Sequence, residues 1–150
     1  MNKILIILAS IVLIIIVAFF ILGLISKKGE ALGMKDGQLQ ACTSTENCVI
    51  SETVSGIANT IEPFSFTGDK AAFLVKLKAT VESSGGKIIT SDDSYIAATF
   101  TSGIFGYVDD FELRLTDDNL LHFRSCSRVG RSDLGANKKR VDAIKLLLSK

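Results

Sequence analysis

The chain has 150 residues, 47% of them apolar, and carries 17 Lys and Arg against 16 Asp and Glu, for a net charge of +1. Its length fits one folded domain plus an appendage. The even charge balance excludes a general nucleic-acid binder, and a single His with three scattered Cys, without any C-x-x-C pair, excludes a zinc module.

The apolar residues crowd the start of the chain. Residues 4–25 read ILIILASIVLIIIVAFFILGLI, with 18 of 22 positions Ile, Leu, Val or Phe and no charge. As a helix this run is about 33 Å long, close to the hydrocarbon thickness of a bilayer. Its large apolar side chains favour insertion by about 5 kcal/mol or more. A buried core helix keeps a less apolar face, whereas this run is apolar all round. Residues 1–25 therefore read as one N-terminal membrane anchor, touching the lipid bilayer through residues 4–25. A cleaved signal peptide is the competing reading. Against it, the run exceeds the usual apolar core of a leader, and SKKGE follows where a small-x-small cleavage site would stand. LQAC, at residues 39–42, resembles a lipoprotein cleavage box but lies too far beyond the run. The positive-inside comparison is nearly a tie, with Lys3 and the α-amine before the span and Lys27 and Lys28, diluted by Glu30, after it.

Residues 26–55 are polar, carry Gly29, Gly33 and Gly37, and read as a linker holding a domain off the membrane. Within them stand Cys42 and Cys48, for which two readings are open. One is a disulfide, which requires an oxidising compartment and puts the soluble domain on the extracytoplasmic side. The other is three reduced thiols, Cys126 being the third.

Residues 56–150 read as one α+β domain. IEPFSF, around Pro63, is an extended entry. Phe73, Leu77 and Val81 recur every fourth residue and predict an amphipathic helix, with Asp69 as N-cap and Gly85–Gly86 as the stop. Four strand-like runs follow: GKIITS, SYIAATFTS, YVDDFELRL and LLHFRSC. Asp92 and Asp93 turn between the first two, and Asp117, Asp118 and Asn119 between the last two. Keeping every apolar side chain on one face sets Leu113 opposite Phe123, Leu115 opposite Leu121, Glu112 opposite Arg124 and Arg114 opposite His122. A last helix carries Val141, Ile144 and Leu148 on one face, with Asn137 as its expected N-cap. The expected architecture is an antiparallel four-stranded sheet with two helices on one face.

The stretch SCSRVGRSDLGANKKR, residues 125–140, gathers the polar chemistry. Arg124, Arg128, Arg131 and Arg140 surround a loop feeding a helix N-terminus, where free amides favour an anion. Ser125, Ser132 and Asn137 add hydrogen-bonding groups, so the set is a candidate anion site for phosphate, carboxylate or a lipid head group. A scaffolding reading of the same residues is open as well. The acidic partners Asp109, Asp110 and Glu112 stand one strand away and pair with Arg124 or Arg128, Arg140 pins the loop to the sheet, and Asp133 caps or turns it. An enzyme reading would use the same loop with Cys126 as thiolate or His122 as base. No P-loop, GxSxG or HExxH occurs, and neither a cofactor nor a metal is expected.

The residues Asn47–Val49, YIAATF after an Asp-Asp turn, VDDFELRL and RSCSRVGRSDLGANKKRV resemble the family labelled domain of unknown function 1499, over roughly residues 42–148. Asp109, Asp110 and Glu112 match its acidic DD-x-E strand. Arg124, Ser125, Ser127, Arg128, Gly130, Ser132, Asp133, Gly135, Asn137 and Arg140 match its RS-x-SR-x-G-x-SD-x-G-x-N-x-x-R block. A Glu precedes Asn47 where the family pattern has Pro. The resemblance implies an N-terminal membrane anchor or export signal and carries no activity. Residues and resemblance together imply a membrane-anchored binding or structural module of the cell envelope. Its expected partners are the lipid bilayer and an anionic ligand or another envelope protein.

Overall fold

The structure, a computed structural model, describes residues 2–44, 46–52 and 59–150. The first element is α1 (Lys3–Ser26), whose large apolar side chains are exposed along its length while Gly23 and Ser26 in its last turn are buried. It is long and apolar enough to cross a membrane.

A small hairpin follows, β1 (Met34–Lys35) and β2 (Gln38–Leu39). Its turn residues Asp36 and Gly37 both have positive φ, 53° and 78°. This is the backbone that an Asp-Gly pair adopts most readily. Next come β3 (Cys48–Ile50), β4 (Asn59–Thr60) and β5 (Phe64–Ser65). α2 (Lys70–Ser83) starts at Asp69, whose carboxylate accepts the Ala72 N–H at 2.8 Å. The long strands are β6 (Lys87–Ser91), β7 (Tyr95–Thr101), β8 (Val108–Leu115) and β9 (Leu120–Ser127), and α3 (Ala136–Leu148) ends the chain.

The sheet has seven strands, not the four expected, in the order β4-β3-β9-β8-β7-β6, with β5 also on β9. The extra strands are two or three residues long, too short for period-two alternation to register. Nor is the sheet wholly antiparallel, since β3 and β4 run parallel. Between β8 and β9 the register is Leu113 opposite Phe123, Leu115 opposite Leu121, Glu112 opposite Arg124 and Arg114 opposite His122, as the apolar alternation requires.

One sheet face carries Ile96, Phe111, Leu113, Leu121 and Phe123 and packs on Leu77 and Val81 of α2 and Val141 and Ile144 of α3. The opposite face is covered by the stretch expected to be a polar linker. Leu39, Cys42, Cys48 and Ile50 form a second apolar cluster with Tyr95, Ala97 and Cys126. We call residues 27–44 the strap, because they run across this face from the end of α1. The expected boundary between residues 55 and 56 lies outside the described residues. Cys42 and Cys48 are disulfide-bonded with Cα atoms 5.9 Å apart, and Cys126 is free and buried.

α3 starts differently from expectation. Its N-cap is Gly135, and Asn137 lies inside the first turn, fully buried. The capping task falls to Asp133, whose carboxylate accepts the N–H groups of Gly135 at 2.9 Å and Asn137 at 2.7 Å. That frees the Asn137 amide to bridge inward.

The Cys42–Cys48 bridge closes a short loop, with a sequence separation of 6. Loop-closure entropy of that size is worth about 2 kcal/mol. A Cys42→Ser/Cys48→Ser variant should therefore unfold in urea at a lower midpoint than the oxidised chain. Equal midpoints would show that the bridge leaves stability unchanged.

Candidate functional site

Alternation along β8 sends its three carboxylates to two different faces. Asp109 points with Phe111 and Leu113 toward the helices, and Asp110 and Glu112 point toward the strap. Each then meets a different arginine.

Glu112 is fully buried and its carboxylate collects three donors. The Arg124 guanidinium binds Oε2 from the neighbouring strand. The Tyr95 hydroxyl donates to Oε1 at 2.7 Å, and the Gly33 N–H of the strap donates to the same oxygen at 2.7 Å. Burial first, and then the bond to Glu112, push the Tyr95 phenol well above its usual pKa, so it stays a donor. The Nε of Arg124 has no hydrogen-bond partner.

Asp110 takes Arg128 in a bidentate pair, Nε to Oδ2 at 2.9 Å and Nη2 to Oδ1 at 2.6 Å. The third guanidinium nitrogen donates to the Ser26 carbonyl at 3.1 Å. Ser26 Oγ in turn accepts the Val108 N–H at 3.1 Å. Asp110 and Arg128 thus clamp the end of α1 to the sheet. Beside this clamp lies a cleft of about 620 Å³, whose lining includes Lys27, Ala31, Lys87, Ile89, Tyr95 and Arg128.

On the helix face, Asp109 accepts from Arg140 at 2.7 Å. Arg140 also donates to Ser125 Oγ at 2.9 Å and to the Asn137 side-chain oxygen, and its guanidinium stacks over the Phe100 ring at 4.6 Å. Ser125 Oγ donates to Asn137 Oδ1 at 2.6 Å, while the Asn137 amide reaches the Asn47 carbonyl at 2.9 Å and Ser127 Oγ at 3.0 Å. Asn47 itself donates to the Gly130 carbonyl at 2.6 Å, closing the 128–135 loop against β3.

The seven residues of the expected anion site therefore do not converge. Arg124 and Arg128 lie on the strap face, Ser125, Asn137 and Arg140 lie on the helix face, and Arg131 and Ser132 lie on the exposed loop, with Arg131 paired to Glu46 at 2.8 Å. Arg124, Arg128 and Arg140 are each engaged by one acid of β8.

Cys126 and His122 both face the strap side of β9 but stand four residues apart, about 13 Å along a strand. Burial pushes the Cys126 thiol up to about 11, the opposite of what a nucleophilic thiolate needs. Desolvation lowers the pKa of His122, which contacts Ser51 Oγ at 3.2 Å and lies 3.9 Å from Glu52. Glu52 is another buried carboxylate, binding the Arg114 guanidinium and the Leu39 N–H of the strap. The sequence carries no local mark of this role. Glu52 follows a three-residue strand in a polar stretch, and its partners lie 62 and 13 positions away.

A family model, Protein of unknown function (DUF1499), matches residues 38–148. The chain belongs to this family. The match runs from β2 to the end of α3, so it takes in the disulfide, the acidic strand and the arginine block, and leaves α1 outside. No curated protein and no solved structure matches the chain. In this DUF1499 chain the acidic strand and the arginine block are two halves of one charge lattice, one carboxylate for each of three arginines.

The lattice makes a sharp energetic prediction. Removing one partner of a buried pair leaves an uncompensated charge, at about 3–5 kcal/mol, whereas replacing both with apolar side chains is often near neutral. Glu112→Leu and Arg124→Met should each lower urea stability by that amount, and the double variant should recover most of it. Single-variant losses of about 1 kcal/mol or less, typical of exposed pairs, would contradict the buried-hub account.

Proposed function

We propose that this protein is a single-pass membrane protein of the cell envelope, whose extracytoplasmic domain binds an anionic amphiphile at the bilayer surface. Retention of α1 as an anchor, rather than removal as a leader, is supported by the part its last turn plays in the fold. Ser26 accepts Arg128 and Val108. At Gly23 a Cβ would lie 1.9 Å from the Phe105 carbonyl oxygen, so the helix needs glycine at this contact. Cleavage near Ser26 would strip these partners from the sheet. The extracytoplasmic side is supported by the Cys42–Cys48 bridge, which persists in an oxidising compartment.

The binding role rests on one observation. The cleft of about 620 Å³ is walled by Lys27 and Gly29, close to where the chain leaves the apolar helix, which supports a mouth at head-group level. Its volume is within the range of small-ligand sites. Ile89, Ala97 and Val108 supply an apolar floor, and the rim carries Lys27, Lys87 and Arg128 against Glu30 and Asp110. Arg128 already neutralises Asp110, which leaves two lysines against one glutamate. An apolar floor under a cationic rim suits a ligand with a short apolar part and an anionic head. Arg128 is the member of the expected anion set that reaches this cleft.

Short-chain phosphatidylglycerol, titrated into the full-length protein in zwitterionic nanodiscs and followed by NMR, tests the proposal. Binding should weaken as salt rises. At about 1 kcal/mol per surface lysine, Lys27→Glu/Lys87→Glu should weaken it by about tenfold or more. Equal binding by the charge-reversed variant, or no binding by the parent chain, would contradict the assignment.

A further inference from the structure

The turn between β7 and β8 does not hang free in solvent but lies along α1. The Phe105 ring centroid is 5.2 Å from Phe19 and 5.2 Å from Phe20, and the Phe105 carbonyl abuts Gly23. These three partners belong to the apolar run, not to the segment after it. Taking Ile25 as the last apolar residue of the run, Gly23 lies about 3 Å and Phe19 about 9 Å further into it, at the 1.5 Å rise of a helix. A bilayer that accommodates α1 therefore reaches the level of the turn as well.

The composition of the turn fits that depth. Residues 99–108 read TFTSGIFGYV, with no charge. Ile104 is 79% exposed and touches neither packed core, which for a large aliphatic side chain is unfavourable in water. The neck of the turn satisfies its own backbone, because Ser102 N–H donates to the Tyr107 carbonyl at 2.8 Å and Tyr107 N–H to Ser102 Oγ at 2.9 Å. Tyr107 stands at the base of the turn, and the Lys27 side chain passes over Gly106, so an aromatic and a cation flank the apolar tip on its outer side. That is the order of residues found where protein crosses from lipid to water.

We infer that the tip of the β7–β8 hairpin, residues 102–107, enters the lipid interface as a second bilayer contact beside α1. This inference rests on the anchored reading of α1. Apolar groups of interfacial elements lie about 5–10 Å into the head-group and acyl boundary, which matches the level of Phe19 and Phe105. With two contacts the domain has a fixed tilt, and the mouth of the cleft faces the head groups.

The chain contains no Trp, so single substitutions give unambiguous fluorescence. Ile104→Trp is the probe of the tip, at a position too exposed to disturb packing. Phe19→Trp reports on the span. Asp93→Trp, at an exposed site in the β6–β7 turn at the opposite end of the sheet from the tip, is the aqueous reference. Each full-length variant is reconstituted into liposomes whose lipids are brominated at a shallow acyl position. Ile104→Trp should emit at shorter wavelength than Asp93→Trp and lose intensity to bromolipid, as Phe19→Trp does. If Phe19→Trp is quenched while Ile104→Trp matches Asp93→Trp, the tip stays in water and the inference is overturned with the anchor intact. If Phe19→Trp itself is not quenched, the anchored reading fails and the inference fails with it.

Discussion

A buried carboxylate, Glu112, sets the organisation of this domain. Desolvating an ion of that size carries a penalty of several kcal/mol, which must be offset by partners of good geometry. Glu112 finds them in three separate parts of the chain: Arg124 on the next strand, Tyr95 on the strand before, and Gly33 in the strap. The first two join the central strands of the sheet. The third reaches 79 positions back along the sequence and draws the segment after α1 across the sheet face. Glu52 repeats the arrangement nearer the other end of the strap, taking Leu39 N–H and the Arg114 guanidinium. The strap is therefore pinned at two points by buried acids, with the apolar cluster around Leu39 and Cys42 between the sheet and itself.

The acidic strand and the arginine block follow from one geometric rule. Successive residues on a strand face opposite ways, so two adjacent aspartates serve two layers. Asp109 ties α3 to the sheet through Arg140, and Asp110 ties α1 to the sheet through Arg128. The same rule divides the arginines and explains why a block so cationic in sequence has so little uncompensated charge near the sheet. Lys27, where the chain leaves the apolar helix, and Lys87, at the start of β6, stand at the margin of the cleft.

Much of this was legible in the sequence. The β8–β9 register, and with it the Glu112–Arg124 pair, follows from keeping Leu113, Leu115, Leu121 and Phe123 on one face. Strands of 7 or 8 residues display that alternation clearly. Strands of two or three residues cannot, so β3, β4 and β5 were hidden, and the sheet reads from sequence as four strands. Residues 26–55 read as a linker because polar and glycine-rich composition is what a linker has; the feature that binds the strap is a backbone N–H, which every non-proline residue carries. Asn137 has the chemistry of a cap, but Asp133 reaches the same amides from outside the helix and leaves Asn137 to a buried network. The scattering of the expected anion set over two faces and a loop has a similar origin, since sequence proximity says little about direction once the chain turns at Gly130 and Gly135.

The central claim is that the apolar helix α1 and the sheet are joined by structure rather than by a loose tether, with Glu112 as the fastening. Amide hydrogen exchange of the full-length protein in a bilayer tests this at a single residue. If the account holds, the Gly33 N–H exchanges on the slow timescale of the β8 amide of Leu113, and the Glu112→Leu/Arg124→Met double variant, which keeps most of the stability, speeds Gly33 while Leu113 stays protected. Exchange of Gly33 at the rate of a free peptide, with Leu113 still protected, would contradict it.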